Sequence, residues 1–276
     1  MNYSRILTIQ DISCLGQCSM TVALPILSAC GQETCIIPSA VLSTHTGGFQ
    51  KPHIRDISMD IPAIGDHWRR EKVDFDAIYT GYLGTTEQIA DVARVFDTLL
   101  KPGGKIIVDP AMADHGKLYS GFDMEYARAM SQLCKKADVI LPNLTESCLL
   151  TGCEYREIYD EAYIEEVLSK LHEMGMKTVV LTGVSFCPEE TGVMLSDGRK
   201  KHYYRHKKLP RSYHGTGDIY ASAFVGSWLG GKTMEQAVAI AADYACECIR
   251  ATISDENHWY GTKFESVLHK LMEMLK

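Results

Sequence analysis

Short apolar runs alternate with helix-like segments along most of this chain, and that alternation limits the fold more than any other feature of the sequence. Six runs have the length and composition of buried strands: Arg5–Ile9, Thr34–Pro38, Asp76–Tyr79, Lys105–Asp109, Ala137–Pro142 and Lys177–Leu181. Helices are predicted at Cys18–Cys30, Ile57–Lys72, Thr85–Leu100, Asp123–Cys134, a short segment from Asn143, and Asp160–Met174. Strands that alternate with helices form mostly parallel sheets covered on both faces. We therefore expect an α/β fold, formed by residues 1–276 as one domain.

The pattern changes after the sixth strand. Gly192–Ser196 and Lys201–His206 flank Asp197-Gly198, a dipeptide typical of two-residue hairpin turns, so a small antiparallel hairpin is expected. Residues 200–208 are the most basic stretch of the chain, and they form either a solvated face of that hairpin or a flap that closes over phosphates. Further on, Thr233–Gln236 is a capping box that opens a long helix.

Charge, cysteine spacing and hydropathy narrow the class of protein. The formal net charge of −7 argues against nucleic acid or an anionic membrane as the main partner. The ten cysteines include no C-x-x-C pair, so reduced thiols are expected. No apolar run reaches transmembrane length, and the first residues do not have the pattern of a signal peptide. These features predict a cytoplasmic protein that holds any anionic ligand through local groups.

The segment His214-Gly215-Thr216-Gly217-Asp218 has the composition of an anion-binding turn. Two glycines that flank a threonine allow the backbone to approach a ligand closely. The small-residue run that follows is typical of a buried helix, whose N-terminus offers unpaired N–H groups and the positive end of its dipole. Asp218 stands beside these groups, where a carboxylate is suited to accept the proton of an attacking hydroxyl group. A helix cap is the purely structural alternative.

Short polar residues follow the predicted strands at their carboxyl ends, where open α/β sheets bind ligands. In chain order they are Asp11, Tyr82, Asp109, Asn143, Glu146, Thr182 and Gly183. Asp109, Asn143 and Glu146 offer hard oxygen atoms suited to Mg²⁺, although an ordinary capping box from Asn143 to Glu146 is the alternative. Neither the dinucleotide fingerprint nor the Walker P-loop occurs, so any nucleotide is bound in another way.

Gly215-Thr216-Gly217-Asp218, followed by a small-residue helix, resembles the anion hole and catalytic base of the ribokinase-like superfamily. Four further segments are similar to segments of the pyridoxal (vitamin B6) kinases in that superfamily and occur in the same order: Ser43–Thr46, Thr80–Gly84, Asp109–Met112 and Pro142–Glu146. The resemblance implies a three-layer α/β/α kinase, usually a homodimer, that phosphorylates the primary hydroxyl of a B6 vitamer with MgATP in B6 salvage. It leaves open a requirement for a monovalent cation such as K⁺.

The resemblance also assigns roles to residues of this chain. It makes Asp218 the general base and the backbone of Gly215, Thr216 and Gly217 the anion hole. The nucleotide and its phosphates are expected along Thr182, Gly183, Asn143 and Thr216, and Mg²⁺ at Asp109 and Glu146. Thr46 and Tyr82 are expected to border the pyridine ring, with Asp11 as a further substrate-binding residue.

Two positions depart from the pattern of the B6 kinases. Asp11 stands where a serine is usual, and Leu15 stands where many members have a tyrosine. An aspartate at the first position resembles the sugar-kinase branch; alternatively, it pairs with a pyridinium N–H or a substrate amine, or it only caps a loop. The remaining enzymatic alternatives are a hydroxymethylpyrimidine kinase and a sugar or nucleoside kinase. A non-catalytic vitamer or nucleotide sensor is the alternative from another class.

Overall fold

The computed structural model describes residues 3–276, and a nine-stranded sheet runs through its centre. The strands are β1 (Arg5–Ser13), β2 (Glu33–Leu42), β3 (Ile54–Asp56), β4 (Phe75–Thr80), β5 (Leu100–Val108), β6 (Ala113–Asp114), β7 (Lys117–Leu118), β8 (Val139–Ile140), β9 (Val179–Cys187), β10 (Glu190–Ser196) and β11 (Lys201–Lys207). The helices are α1 (Met20–Ala29), α2 (Asp60–Arg70), α3 (Thr86–Leu99), α4 (Met124–Lys136), α5 (Leu144–Thr151), α6 (Glu161–Glu173), α7 (Thr216–Leu229), α8 (Met234–Thr252) and α9 (Leu268–Met274).

The central sheet is mostly parallel, as the alternation of strands and helices predicted. Its order is β11-β10-β9-β8-β5-β4-β1-β2-β3. The strands from β9 to β2 in this order pair in parallel, whereas β10, β11 and β3 are antiparallel additions at the two edges. The predicted hairpin is confirmed, with Ser196 paired to Lys201 around the turn, and it extends the central sheet because β10 also pairs with β9. A separate two-stranded hairpin is formed by β6 and β7.

Helices cover both faces of the sheet, and the side-chain alternation of the strands explains why. Leu7 of β1 lies in an apolar cluster with residues of α2, α3, α4, α5 and α6, whereas its neighbour Ile6 lies in a second cluster with α1, α7, α8 and α9. Ile78 and Tyr79 of β4 divide between the two clusters in the same way. Successive side chains of a strand point to opposite faces, so both faces of these strands are apolar and buried. The three-layer α/β/α fold is therefore confirmed.

Several details differ from the sequence prediction, and the β6–β7 hairpin, which was not predicted, is one of them. The fifth predicted strand, Ala137–Pro142, shortens to the two residues Val139–Ile140 of β8. Strand β5 begins at Leu100, directly after α3, rather than at Lys105. The short strand β3 was not predicted, because its three residues are exposed and carry no apolar alternation.

Residues 3–276 can also be compared with two expectations from the sequence, namely that no segment is long enough to span a membrane and that the cysteines are reduced. None of the helices within residues 3–276 combines the length and apolar character needed to span a membrane. All ten cysteines fall within these residues, and each is a free thiol.

Candidate active site

Two adjoining cavities open where the parallel strands end, and together they contain every site residue predicted from the sequence. The first cavity has a volume of about 440 Å³ and is lined by Asp11, Thr46 and Tyr82 among others. The second has a volume of about 430 Å³, and its lining includes Asp109, Asn143, Glu146, Thr182, Gly183, Thr216 and Gly217. Gly215 and Asp218 line both cavities. The fold thus brings residues from distant chain segments to one place, with Asp218 at the junction.

The turn before α7 can be built only with glycine at its first position. Gly215 has φ +79°, and a Cβ atom there would lie 1.7 Å from the carbonyl oxygen of Gln17. Gly217, in contrast, has no atom within 4 Å of the position of a Cβ, so its surroundings are open space. The first backbone hydrogen bond of α7 runs from the Ile219 N–H to the Gly215 carbonyl at 3.0 Å. The N–H groups of Thr216 and Gly217 come before that bond and are free to bind an anion.

Asp218 lies in the first turn of α7, and its surroundings change its acidity. Burial raises the pKa of its carboxyl group to about 7, and the negative charge of Asp11 acts in the same direction. The backbone N–H of Ser19 opposes this shift. A carboxyl group with a pKa near neutrality is well matched to general base catalysis at ordinary pH, because it exchanges protons readily there.

Asn143 and Glu146 form the capping box of α5 that the sequence left as the structural alternative. The Asn143 Oδ1 accepts from the Glu146 N–H at 2.9 Å, and the Glu146 Oε2 accepts from the Asn143 N–H at 2.9 Å. The Glu146 Oε1 accepts from the Met112 N–H at 2.9 Å. Both carboxylate oxygens of Glu146 therefore already bind backbone N–H groups. The capping box and the predicted site occupy the same residues, and each oxygen keeps further capacity to accept.

Asp109 lies close to Glu146, and both carboxyl groups have raised pKa values. Burial and the charges of Glu146 and Asp218 raise the pKa of Asp109, and burial raises the pKa of Glu146 to about 7. The Asp109 Oδ1 accepts from the Ala111 N–H at 3.1 Å, whereas Oδ2 has no hydrogen-bond partner within residues 3–276. A cation near these groups would relieve the repulsion between them.

The donor set fits Mg²⁺ that is held chiefly by water and phosphate. No group of three His, Cys, Asp or Glu side chains suited to hold a metal occurs within residues 3–276, so a site built from protein ligands alone does not fit. Mg²⁺ usually keeps several waters and takes only one or two carboxylates. The free Asp109 Oδ2 is suited to direct contact, and Glu146, whose oxygens accept backbone hydrogen bonds, is suited to contact through water.

Asp11 is a buried carboxylate at the wall of the first cavity, with 3% of its surface exposed. It lies inside β1, so the alternative of a loop cap is wrong. Its Oδ2 accepts from the Ser13 hydroxyl at 2.9 Å. Burial raises the pKa of Asp11, whereas the hydroxyls of Ser19 and Ser13 lower it. No basic side chain in the described chain forms an ion pair with it, so its negative charge is available to a ligand in the cavity.

His45 also lines the first cavity, and its hydrogen bonds define its protonation state. Its Nδ1 accepts from the Gly47 N–H at 3.1 Å, so its Nε2, which lies 2.6 Å from the Tyr260 carbonyl oxygen, carries the proton. Burial lowers the pKa of His45, which keeps the ring neutral. His45 is therefore not a cationic partner for Asp11. His45 belongs to the segment Ser43–Thr46, and the sequence predicted no role for it.

Tyr82 is held in place by stacked rings. Its ring centroid lies 5.4 Å from that of Phe122, which in turn stacks on Tyr126 at 3.8 Å. The Tyr126 hydroxyl donates to the Leu83 carbonyl at 2.6 Å. The Tyr82 side chain is thus fixed as a flat aromatic wall of the first cavity, which suits a planar ring as ligand.

Four residues line both cavities although the sequence predicted no role for them, namely Ala111, Asp114, Tyr119 and His214. Asp114 and Tyr119 lie in and after the β6–β7 hairpin, whose strands are too short to show a pattern. Their nearness to the motif around Asp109 was the one available signal. The basic segment 200–208 contributes β11 at the edge of the sheet and lines neither cavity in the part of the chain described. This position favours a solvated hairpin over a flap.

Comparison with known proteins agrees with this geometry. The sequence profile of the family described as phosphomethylpyrimidine kinase matches residues 28–262. The pyridoxine/pyridoxal/pyridoxamine kinase of Bordetella avium is 27% identical over 261 residues, which cover 90% of this chain and 85% of that protein.

Two solved structures have the same fold over nearly the whole length. A protein of Bacteroides thetaiotaomicron, whose proposed role is that of a phosphomethylpyrimidine kinase, has a TM-score of 0.92 and 36% identity, covering 97% of this chain and 93% of that one. One of its crystal forms was solved with pyridoxal. The pyridoxal kinase of Lactobacillus plantarum has a TM-score of 0.90 and 31% identity, covering 98% of this chain and 97% of that one.

Proposed function

We propose that this chain, which belongs to the phosphomethylpyrimidine kinase family, phosphorylates the 5′ hydroxyl of a vitamin B6 vitamer with MgATP. One observation carries the proposal: two cavities of similar size meet at Asp218 and the Gly215 turn. The first cavity would hold the acceptor and the second would hold ATP. The acceptor hydroxyl and the γ-phosphate would then meet beside the carboxylate.

Each group at the junction has a chemical task in this proposal. Asp218 accepts the hydroxyl proton as the acceptor oxygen forms its bond to phosphorus and the bond from phosphorus to the ADP oxygen breaks. The N–H groups of Thr216 and Gly217 donate hydrogen bonds to the transferring phosphoryl oxygens, where negative charge is concentrated. Thr182 and Gly183 border the nucleotide, with Asn143 near the phosphates.

Asp109 and Glu146 would hold Mg²⁺, directly and through water respectively. When bound there, the ion would supply positive charge that offsets the negative charge of the phosphates. The protein contributes a fixed position for that charge: Asp109 follows β5, and both carboxylate oxygens of Glu146 are held by backbone N–H groups. This rigidity is the feature that catalytic positioning requires.

The lining of the first cavity supports a planar, cationic or hydrogen-bond-donating acceptor. Tyr82 offers a flat wall, and Asp11 offers an unpaired carboxylate to a pyridinium N–H or a substrate amine. The pyridoxal in the related Bacteroides structure supports a B6 vitamer. Hydroxymethylpyrimidine, with a planar ring and an amine, is the second candidate, favoured by the description of the family.

A phosphorylation assay with an acceptor panel tests this function. Pyridoxal, pyridoxine, pyridoxamine, hydroxymethylpyrimidine and ribose are compared with MgATP, with and without KCl, using Asp218→Asn as the control. Turnover on a B6 vitamer that is lost in the variant is the expected result. Turnover on the pyrimidine alone would replace the B6 assignment, and ATP binding without any turnover would indicate a sensor.

A homodimer of one-domain subunits in the cytoplasm stays a prediction. Light scattering after gel filtration tests whether the protein is a dimer.

A further inference from the structure

The loop 43–53 forms part of the wall of the first cavity, although it contains no helix or strand. It connects β2 to β3, and two hydrogen bonds of 2.9 Å between Ser43 and His53 join its ends. Thr46 and the residues on either side of it line the cavity. Irregular loops open readily unless other parts of the protein hold them. The shape of this wall therefore depends on what the loop contacts.

His45 joins this loop to a segment near the end of the chain. Its Nε2–H donates to the Tyr260 carbonyl oxygen at 2.6 Å, and its Nδ1 accepts from the Gly47 N–H at 3.1 Å. A neutral imidazole has one donor and one acceptor, so both are used within the protein. A ligand can bind either nitrogen only by displacing one of these bonds. The position of His45 at the cavity wall is thus explained by support of the loop.

Aromatic rings make a second connection between the same two parts of the chain. The Phe49 ring lies edge-to-face on His45, with centroids 5.0 Å apart, and its centroid is 4.7 Å from that of Trp259. The Trp259 ring also lies against the backbone of the loop, because a Cβ on Gly48 would be 2.7 Å from its Cζ3 atom. In the described chain, Trp259 and Tyr260 line neither cavity. Any influence they have on a bound acceptor passes through the loop.

The segment 258–261 is itself held in place, as a support has to be. It lies between α8 and α9, and contacts on its two sides connect across it. The Lys263 N–H donates to the Thr252 Oγ1 at 2.8 Å, and the Lys263 ammonium pairs with the Asp255 carboxylate at 2.6 Å. The two ends of the connection from α8 are thereby kept close together, which limits the motion of the residues between them.

We propose that the segment 258–261 holds the loop 43–53 in the conformation that shapes the acceptor cavity, with the Tyr260 carbonyl and the Trp259 ring as its two attachments and His45 as the positioning residue between them. The inference rests on the proposed function, because that function assigns the first cavity to the acceptor. It makes residues outside both cavities determinants of acceptor affinity. The nucleotide cavity contains no residue of the loop 43–53, so its affinity for ATP is independent of these attachments.

Two substitutions remove the attachments one at a time. His45→Phe keeps a flat ring beside Phe49 but loses both hydrogen bonds, and it should raise the KM of pyridoxamine about ten-fold. Trp259→Ala loses the ring contact and should raise this KM about five-fold. Trp259 has 41% of its surface exposed, so its removal leaves the apolar core intact. Trp259→Phe keeps an aromatic ring and should restore most of the affinity for pyridoxamine. The KM of ATP should stay at the wild-type value in all three variants.

Trp68→Ala is the matched control. Trp68 lies on α2 and makes a similar tilted ring contact, with its centroid 5.4 Å from that of Phe75, away from both cavities. Its loss should lower Tm and leave both KM values unchanged. Because His45 and Trp259 act through one loop, their effects should not multiply: the double variant should resemble His45→Phe alone in its pyridoxamine KM. Wild-type pyridoxamine KM in both single variants, or an equal rise in the KM of ATP, overturns the proposal.

Hydrogen exchange in the ligand-free protein tests the attachments independently of catalysis. Amides of residues 45–49 should exchange faster in His45→Phe and Trp259→Ala than in wild type or Trp68→Ala, because the loop opens more often. Wild-type exchange in both variants overturns the proposal, and if His45→Phe fails to fold, Trp259→Ala decides. Calorimetric binding of pyridoxamine and of MgADP separates this inference from the proposed function. Wild-type protein that binds pyridoxamine without phosphorylating it refutes the kinase function, whereas weaker pyridoxamine binding with unchanged MgADP binding in the variants still supports the role of the segment 258–261.

Discussion

Replacing Asp218 by asparagine is expected to abolish most activity and, at the same time, to stabilise the protein at alkaline pH. Burial and the charge of Asp11 raise the pKa of Asp218 from 3.8 to about 7 in the folded protein. The folded state therefore binds this proton more tightly than the unfolded state does. Between pH 3.8 and about pH 7, which are the pKa values of Asp218 in the unfolded and the folded state, the free energy of unfolding falls as pH rises. Above about pH 7 the stability that the Asp218 proton contributes is lost completely.

The magnitude follows from the size of the shift. Each pKa unit corresponds to about 1.4 kcal/mol, so the full shift costs on the order of 4 kcal/mol of stability at pH 8 and about 2 kcal/mol at pH 5.5. The amide of the Asp218→Asn variant carries no charge at either pH and avoids this cost. The stability advantage of the variant should therefore grow by about 2 kcal/mol between pH 5.5 and pH 8. Any constant difference between the amide and the acid cancels from this comparison.

Urea unfolding of the two proteins at pH 5.5 and pH 8, without nucleotide or magnesium, measures this change. The comparison requires that the free energy of unfolding depends on urea concentration with the same slope in both proteins. Asp66→Asn, at an exposed position of α2, is the control and should show the same difference from wild type at both pH values. In the kinase assay Asp218→Asn should lose a factor of about 10² to 10⁴ in kcat. A stability difference that is equal at the two pH values would refute the reasoning, because it would mean that Asp218 ionises as an ordinary aspartate.

Three further sets of substitutions test other parts of the site. Gly217→Ala should fold normally but lower kcat/KM for ATP about ten-fold, since its Cβ enters open space beside the phosphate. Gly215→Ala should lose at least about 2 kcal/mol of stability, because its Cβ clashes with a carbonyl oxygen. Urea unfolding measures the stability of both variants, and steady-state kinetics measures their kcat/KM. Asp11→Asn should raise the KM of pyridoxamine about ten-fold and leave that of ATP unchanged, and an equal effect on both would contradict an acceptor site there. Asp109→Asn should raise the Mg²⁺ concentration needed for half-maximal rate, and an unchanged magnesium titration would remove Asp109 from the metal site.

The order of strands and helices was predictable because local composition decides it. Buried parallel strands need apolar residues on both faces, and runs such as Arg5–Ile9 show this directly in the sequence. The strand boundaries were less predictable: β8 keeps two residues of Ala137–Pro142, since only neighbouring strands determine where pairing ends. The β6–β7 hairpin was not predicted for a similar reason. Its pairing depends on tertiary contacts and not on an alternation of apolar and polar residues in the sequence.

By itself the sequence determined the chemistry that the site can contain: the glycine turn, the carboxylates and their order along the chain. Only the tertiary structure decided how these groups influence one another. It showed that Asp11 lies within β1 without a cationic partner, that His45 is neutral, and that Asp11 and Asp218 line one cavity. The physical reason is that burial and charge interaction depend on distances between residues far apart in the chain, and no local pattern encodes those distances.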